Sequence, residues 1–150
     1  MRLVIQRCAS ASVDIDGKRI SETGKGLLIL VGVEEGDSEA DVDWLVGKTA
    51  AMRIFDDENG VMNLSVKNVD GEVLAVSQFT LTASTRKGNR PSYIRAAGHG
   101  TAVPLYESYC SKLSLELGKT VQKGVFGADM KVSLVNDGPV TIIIDSRLRE

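Results

Sequence analysis

Valine, isoleucine and leucine crowd three short stretches near the start of the chain, Arg2 to Ala9, Ser12 to Asp16 and Lys25 to Val33, with glycines at 17, 24 and 32 between or within them. Short β-branched runs broken by glycine predict strands, and three in succession predict a β-meander. From Ser38 the period changes. Ser38 suits a helix N-cap, and Asp41 at the third helical position would complement free N–H groups and the helix dipole. Val42, Leu45, Val46, Thr49 and Ala50 then recur at helical spacing, which predicts a helix from about Glu39 to Met52. Asn59-Gly60 and Asp70-Gly71 are turn signals, and Glu72 to Leu81 alternates as a strand does. A second helix is predicted to open at Thr101, with Pro104 in its first turn, and to close at Gly118; Val103, Tyr106, Cys110, Leu113 and Leu117 share one face. Two last strands, near Met130 to Val135 and Val140 to Ile144, flank an expected turn at Asn136-Asp137-Gly138-Pro139.

This order, ββ(β)αβαββ, predicts an α+β fold: one domain over residues 1–150, with a mostly antiparallel or mixed, barrel-like sheet and two main helices. Parallel βαβ winding is not expected. A domain of this length buries roughly 68–70% of the surface its unfolded chain exposes, so a core needs no staples. The composition, 43% hydrophobic and 25% charged, excludes disordered and fibrous classes. The longest apolar run, Leu27 to Val33, is too short to span a bilayer, and no basic segment followed by an apolar one opens the chain, so a cytoplasmic protein without membrane contact is expected. Cys8 and Cys110 are far apart and lack a histidine at ligand spacing, which points to buried small side chains rather than a zinc or redox site.

The net charge of −2 argues against DNA binding through bulk electrostatics and makes any RNA contact a local one. Arg86, Lys87, Arg90 and Arg95 are the place for it: four cations within ten residues, with no acid among them. Other candidate chemistry falls away. Gly24 to Gly32 lacks phosphate-loop spacing and enters a strand. His99, the single histidine, sits between Gly98 and Gly100 and is expected in a flexible loop with nothing to orient its ring. No serine has the spacing of a nucleophile elbow. Glu34-Glu35 and Asp56-Asp57 are neighbours in or beside turns, where carboxylates diverge, and are expected to be solvated; no metal site is expected.

Two segments remain. Ser77, Gln78, Phe79 and Thr80 place polar groups at the end of a hydrophobic strand, where they could line a pocket and orient a water, or simply pair with neighbouring backbone. Asn136 to Val140 contains Gly138-Pro139, and about 5–6% of X-Pro bonds in folded proteins are cis. Ser-Gln-Phe-Thr-Leu at 77–81 and Asn-Asp-Gly-Pro-Val-Thr at 136–141 resemble the two signatures of D-aminoacyl-tRNA deacylases. The likeness extends through Gln6-Arg7, Arg53-Ile54-Phe55, Met62-Asn63-Leu64, Arg90-Pro91-Ser92 and Phe126 to Met130, with Tyr93 standing where phenylalanine is expected.

The resemblance implies hydrolysis of the ester between tRNA and a D-amino acid or glycine, by a homodimer with its sites at the subunit interface and without metal or organic cofactor. Ser77, Gln78, Phe79 and Thr80 would be the catalytic segment. Gly138-Pro139 would be cis and enter the neighbour's pocket, held by Arg7, with Asn136, Met130 and Phe126 completing the substrate site; Arg86, Lys87 and Arg90 would meet tRNA. The Gly138 and Pro139 carbonyls would fill the space of an L side chain, so chirality would be set by a clash. Backbone N–H groups near Phe79 and Thr80 are the expected oxyanion donors, and Thr80 is expected to position rather than attack, having no neighbouring base. A tRNA-end binding module without catalysis, and a threonine-nucleophile esterase, are the competing expectations. The charged tail Asp145 to Glu150 has no assigned role.

Overall fold

The computed structural model describes residues 1–149. Its strands are β1 (Arg2–Ile15), β2 (Lys18–Thr23), β3 (Gly26–Gly32), β4 (Arg53–Asp56), β5 (Met62–Ser65), β6 (Glu72–Ser77), β7 (Gln122–Lys123) and β8 (Lys131–Asp145); its helices are α1 (Glu39–Ala51) and α2 (His99–Leu117). The two strands expected between Arg2 and Asp16 are one. The first half of β1 pairs with β3, its second half with β2, and β8 runs antiparallel along nearly all of its other edge. β2 returns against β6 and β7, so the mixed sheet is nearly closed into a barrel.

The sheet is mixed, as expected, but its parallel pairs come from a βαβ-type winding that the sequence pattern does not predict: β3 lies parallel to β6, and β6 to β7. The physical reason is the crossover: α1 and a β4–β5 hairpin, turned by Asn59-Gly60, carry the chain from one end of β3 back to the other. Successive residues of β3 and β6 face opposite ways. Leu27, Ile29, Val31, Val73 and Ala75 pack beneath α1 and α2, whereas Leu28, Leu74 and Val76 fill the barrel with Cys8, Ala11 and Val13. A strand buried on both faces reads as a continuous apolar run, which is how β3 appears in the sequence.

Ser38 and Asp41 form the expected cap, the Ser38 N–H donating to Asp41 Oδ2 at 2.9 Å. Between the helices the Thr49 and Tyr109 hydroxyls share a hydrogen bond of 2.9 Å, and Tyr106 Oη donates to the Ala75 carbonyl at 2.9 Å. Burial pushes the Cys110 thiol up to about 12 and raises that of Cys8 as well, so both remain neutral packing groups. Truncating a core leucine such as Leu45 should cost about 2–5 kcal/mol.

Three further expectations are corrected. α2 begins at His99, because the Gly98 carbonyl accepts from the Thr101 and Ala102 N–H groups at 3.0 and 2.8 Å; Pro104 therefore lies in the second turn, and His99 is helical rather than on a loop. The two last strands are the single strand β8, in which residues 137–140, between Asn136 opposite Cys8 and Thr141 opposite Gln6, form a bulge instead of a turn. Glu34 is buried, not solvated, and is flanked by Arg147 at 3.3 Å and Arg95 at 3.8 Å. Among the described residues no helix is long and apolar enough to cross a membrane.

Candidate active site

β6 stops at Ser77 because the next residues leave the sheet: the Gln78 N–H donates to the Val31 carbonyl at 2.8 Å, and Phe79–Thr82 winds into one 3-10 turn. The expected strand to Leu81 is thus four residues too long. Polar side chains explain the change. Thr82 Oγ1 donates to the Phe79 carbonyl at 2.8 Å, and Gln78 Nε2 donates to Thr80 Oγ1 at 2.5 Å, local bonds that compete with a ladder. Within the turn the Leu81 and Ala83 N–H groups donate to Gln78 and Thr80 carbonyls. The N–H groups of Phe79 and Thr80, first in the turn, have no acceptor among the described residues.

This turn borders a cavity of about 600 Å³. Ser77, Gln78 and Phe79 form one wall, Phe126 and Met130 another, and Val31, Val33 and Val76 an apolar floor. Five residues expected at the site are therefore brought together here. Thr80 is not in that wall; it lines a second groove with Arg2, Leu81, Ile143, Asp145 and Leu148. His99, set aside on sequence grounds, stands at the rim, edge-on to Phe126 with ring centroids 5.4 Å apart. The available signal is Gly98, since glycine is an acceptable N-cap and would start α2 one turn earlier.

The second signature lies apart from the cavity. Gly138-Pro139 is cis, as the resemblance implies, and Gly138 has φ of +124°. A Cβ there would sit 2.9 Å from Arg7 Nη2 and 3.0 Å from Val140 Cγ2, so only glycine fits. Arg7, 7% exposed, holds the bulge: its Nε donates to the Asp137 carbonyl at 3.0 Å and its Nη1 to the Ile54 carbonyl at 2.7 Å. The Asp56 and Asp137 carboxylates, 3.5 and 3.6 Å away, offset the buried charge. On the other side Gln6 Nε2 donates to Asn136 Oδ1 at 3.0 Å. None of Arg7, Asn136, Gly138 and Pro139 lines the cavity of its own chain.

The basic stretch divides as well. Arg86, Lys87 and Arg90 are exposed and form no ion pair among the described residues, in a loop closed by paired N–H and carbonyl groups of Ser84 and Ser92 at 2.8 and 2.9 Å. Arg95 is structural: its Nη2 donates to the Thr82 carbonyl at 3.0 Å. Tyr93 meets Phe79 edge-on at 5.0 Å and so joins this loop to the cavity wall.

Known proteins resemble the chain over its whole length. The family model described as D-Tyr-tRNA(Tyr) deacylase matches residues 4–145. Proteins named D-aminoacyl-tRNA deacylase from Flavobacterium psychrophilum and Porphyromonas gingivalis are each 61% identical over 150 residues, covering all of both chains. Among solved structures, one titled c-Myc DNA Unwinding Element Binding Protein has a TM-score of 0.89 at 37% identity, over 97% of this chain and 98% of that one. Another, titled a probable eukaryotic D-amino acid tRNA deacylase, has a TM-score of 0.80 at 18% identity, over 95% of this chain and 97% of that one, and speaks for the fold alone.

Proposed function

Given that the chain belongs to the D-Tyr-tRNA(Tyr) deacylase family and is a hydrolase of D-aminoacyl-tRNA, we propose that it selects D-aminoacyl and glycyl esters by rejecting the L side chain. Water adds to the ester carbonyl carbon, and the oxyanion that forms is held by the N–H groups of Phe79 and Thr80. The carbon–oxygen bond to the ribose 3′ oxygen then breaks, freeing the amino acid. The proton lost by the water passes to that oxygen by way of the neighbouring 2′-hydroxyl. The observation that carries this reading is the pair of unengaged N–H groups at the start of the turn, where Phe79 belongs to the cavity wall and Thr80 follows it, since one well-aimed donor is worth roughly 100- to 1000-fold in rate. Thr80 Oγ1 already accepts from Gln78 and Thr80 lines the second groove rather than the main cavity, which favours a positioning role over attack.

The rejecting wall comes from a second copy of the chain, whose Gly138 and Pro139 carbonyls enter this cavity. The clamp made by Arg7 and the distance of the bulge from its own cavity support that arrangement. So does β8, which among the described residues is paired only with β1 and leaves Val135 and Ile143 57% and 66% exposed on a long edge strand of the kind proteins cover. Arg86, Lys87 and Arg90 meet tRNA phosphates. DNA has no part in this reading, given a net charge of −2. The test is deacylation of D-Tyr-tRNA, L-Tyr-tRNA and Gly-tRNA side by side. Rapid loss of the D and glycyl esters with L-Tyr-tRNA intact is expected. Equal rates on D and L would remove the rejecting wall, and binding without hydrolysis would leave a tRNA-end binding module.

A further inference from the structure

The 3-10 turn ends in carbonyls that need donors, and two arginines supply them. Arg2 Nη1 donates to the Leu81 carbonyl at 2.8 Å. Arg95 donates to the Thr82 carbonyl from Nε at 3.3 Å and from Nη2 at 3.0 Å, and its Nη2 reaches the Ala83 carbonyl at 3.4 Å. Neither guanidinium stands alone. Arg2 Nε and Nη2 donate to Asp145 Oδ2 at 3.1 and 2.8 Å. Arg95 lies 3.8 Å from Glu34 Oε1, while Glu34 Oε2 lies 3.3 Å from Arg147 Nη1. Arg147 in turn donates to Asp37 Oδ1 at 3.1 and 2.9 Å. Two chains of contact therefore run from the C-terminal segment to the carbonyl end of the turn whose N–H end borders the cavity.

We propose that Arg2 and Arg95, held by Asp145 and by Arg147 through Glu34, are positioning residues that fix the Phe79–Thr82 turn so that its first two N–H groups face the reacting carbonyl. This rests on the reading of those groups as oxyanion donors. The charged tail thereby gains a role, which is to anchor the guanidiniums. Its last residue, Glu150, lies outside the described residues. A guanidinium presents several N–H donors in a rigid fork, so Arg2 binds carboxylate and carbonyl together and Arg95 binds two carbonyls beside the Glu34 carboxylate, which a lysine ammonium cannot do with the same geometry. Fixing the carbonyl end of so short a turn fixes its N–H end, and an error of about 1 Å in a catalytic group can cost on the order of 100-fold in rate.

The test uses the full chain with Arg95→Lys and Asp145→Asn, two variants that leave every residue lining the main cavity in place. Single-turnover deacylation of D-Tyr-tRNA would be measured beside the affinity for a non-hydrolysable 3′-amide analogue of D-tyrosyl-adenosine and beside the thermal midpoint. Positioning predicts that the rate falls about tenfold in each variant while analogue affinity stays within about twofold, well below the midpoint of either. Unchanged rates would overturn the proposal. So would a rate and an analogue affinity that fall together, because that pattern marks a general loosening of the cavity. Failure of the wild-type chain to hydrolyse D-Tyr-tRNA would instead strike the functional reading itself.

Discussion

The two signature segments contrast at almost every physical level. Residues 77–80 end a buried strand, put Ser77, Gln78 and Phe79 on a cavity wall, and leave the Phe79 and Thr80 N–H groups without acceptors among the described residues. Residues 136–139 project from an edge strand, do not line that cavity in their own chain, and are fixed by Gln6 and by Nε and Nη1 of Arg7. One is a receptor with unused capacity; the other is a braced projection. A single chain holds both without bringing them together, so the proposed reaction needs two copies, one offering the cavity and the other the wall.

Gly138→Val strikes the projection hardest. The new side chain would meet Arg7 Nη2 and Val140 at a backbone φ that L residues rarely adopt, so the bulge must shift. Activity on D-Tyr-tRNA should fall about 100-fold, and the residual activity should discriminate less against L-Tyr-tRNA. Retention of the full D over L ratio would mean that chirality is read elsewhere. A smaller effect is expected within the receptor. Thr80→Ala removes the acceptor of the Gln78 amide and should cost less than about tenfold, in line with a hydrogen bond worth about 1 kcal/mol, whereas Gln78→Ala alters the cavity wall and should cost more. A trapped acyl-enzyme at Thr80 would reverse that ranking. The smallest effect belongs to the basic loop: Lys87→Ala with Arg90→Ala should raise KM and reduce the salt dependence of binding by about one counterion per side chain. An unchanged salt slope would return these cations to plain solvation.

Local patterns read well from the sequence where one period dominates. The α1 segment shows both its cap and its buried face, and Asn59-Gly60 marks the hairpin it turns, although β4 and β5 themselves are too short to stand out. The reading fails where tertiary contacts override local signals. Asn136 to Pro139 has turn chemistry, but pairing with β1 on both sides makes it a bulge in one strand. Glu34 reads as a solvated acid because Arg147, more than a hundred residues away, is invisible as its partner. His99 is misplaced because flanking glycines suggest freedom where Gly98 in fact caps a helix. At the site, residue types at 77–80 point to polar work at a strand end, but the 3-10 turn that frees two N–H groups follows only from the structure.

Subunit mixing tests the separation of cavity and wall most directly. Gln78→Ala and Gly138→Val chains, each weakly active alone, would be mixed and allowed to exchange subunits. If wall and cavity come from different copies, half of the dimers are mixed, and each has one intact cavity facing one intact wall. The mixture should then recover about a quarter of wild-type activity on D-Tyr-tRNA, together with its rejection of L-Tyr-tRNA. A mixture that exchanges subunits yet is no more active than the average of its two parents would contradict the account.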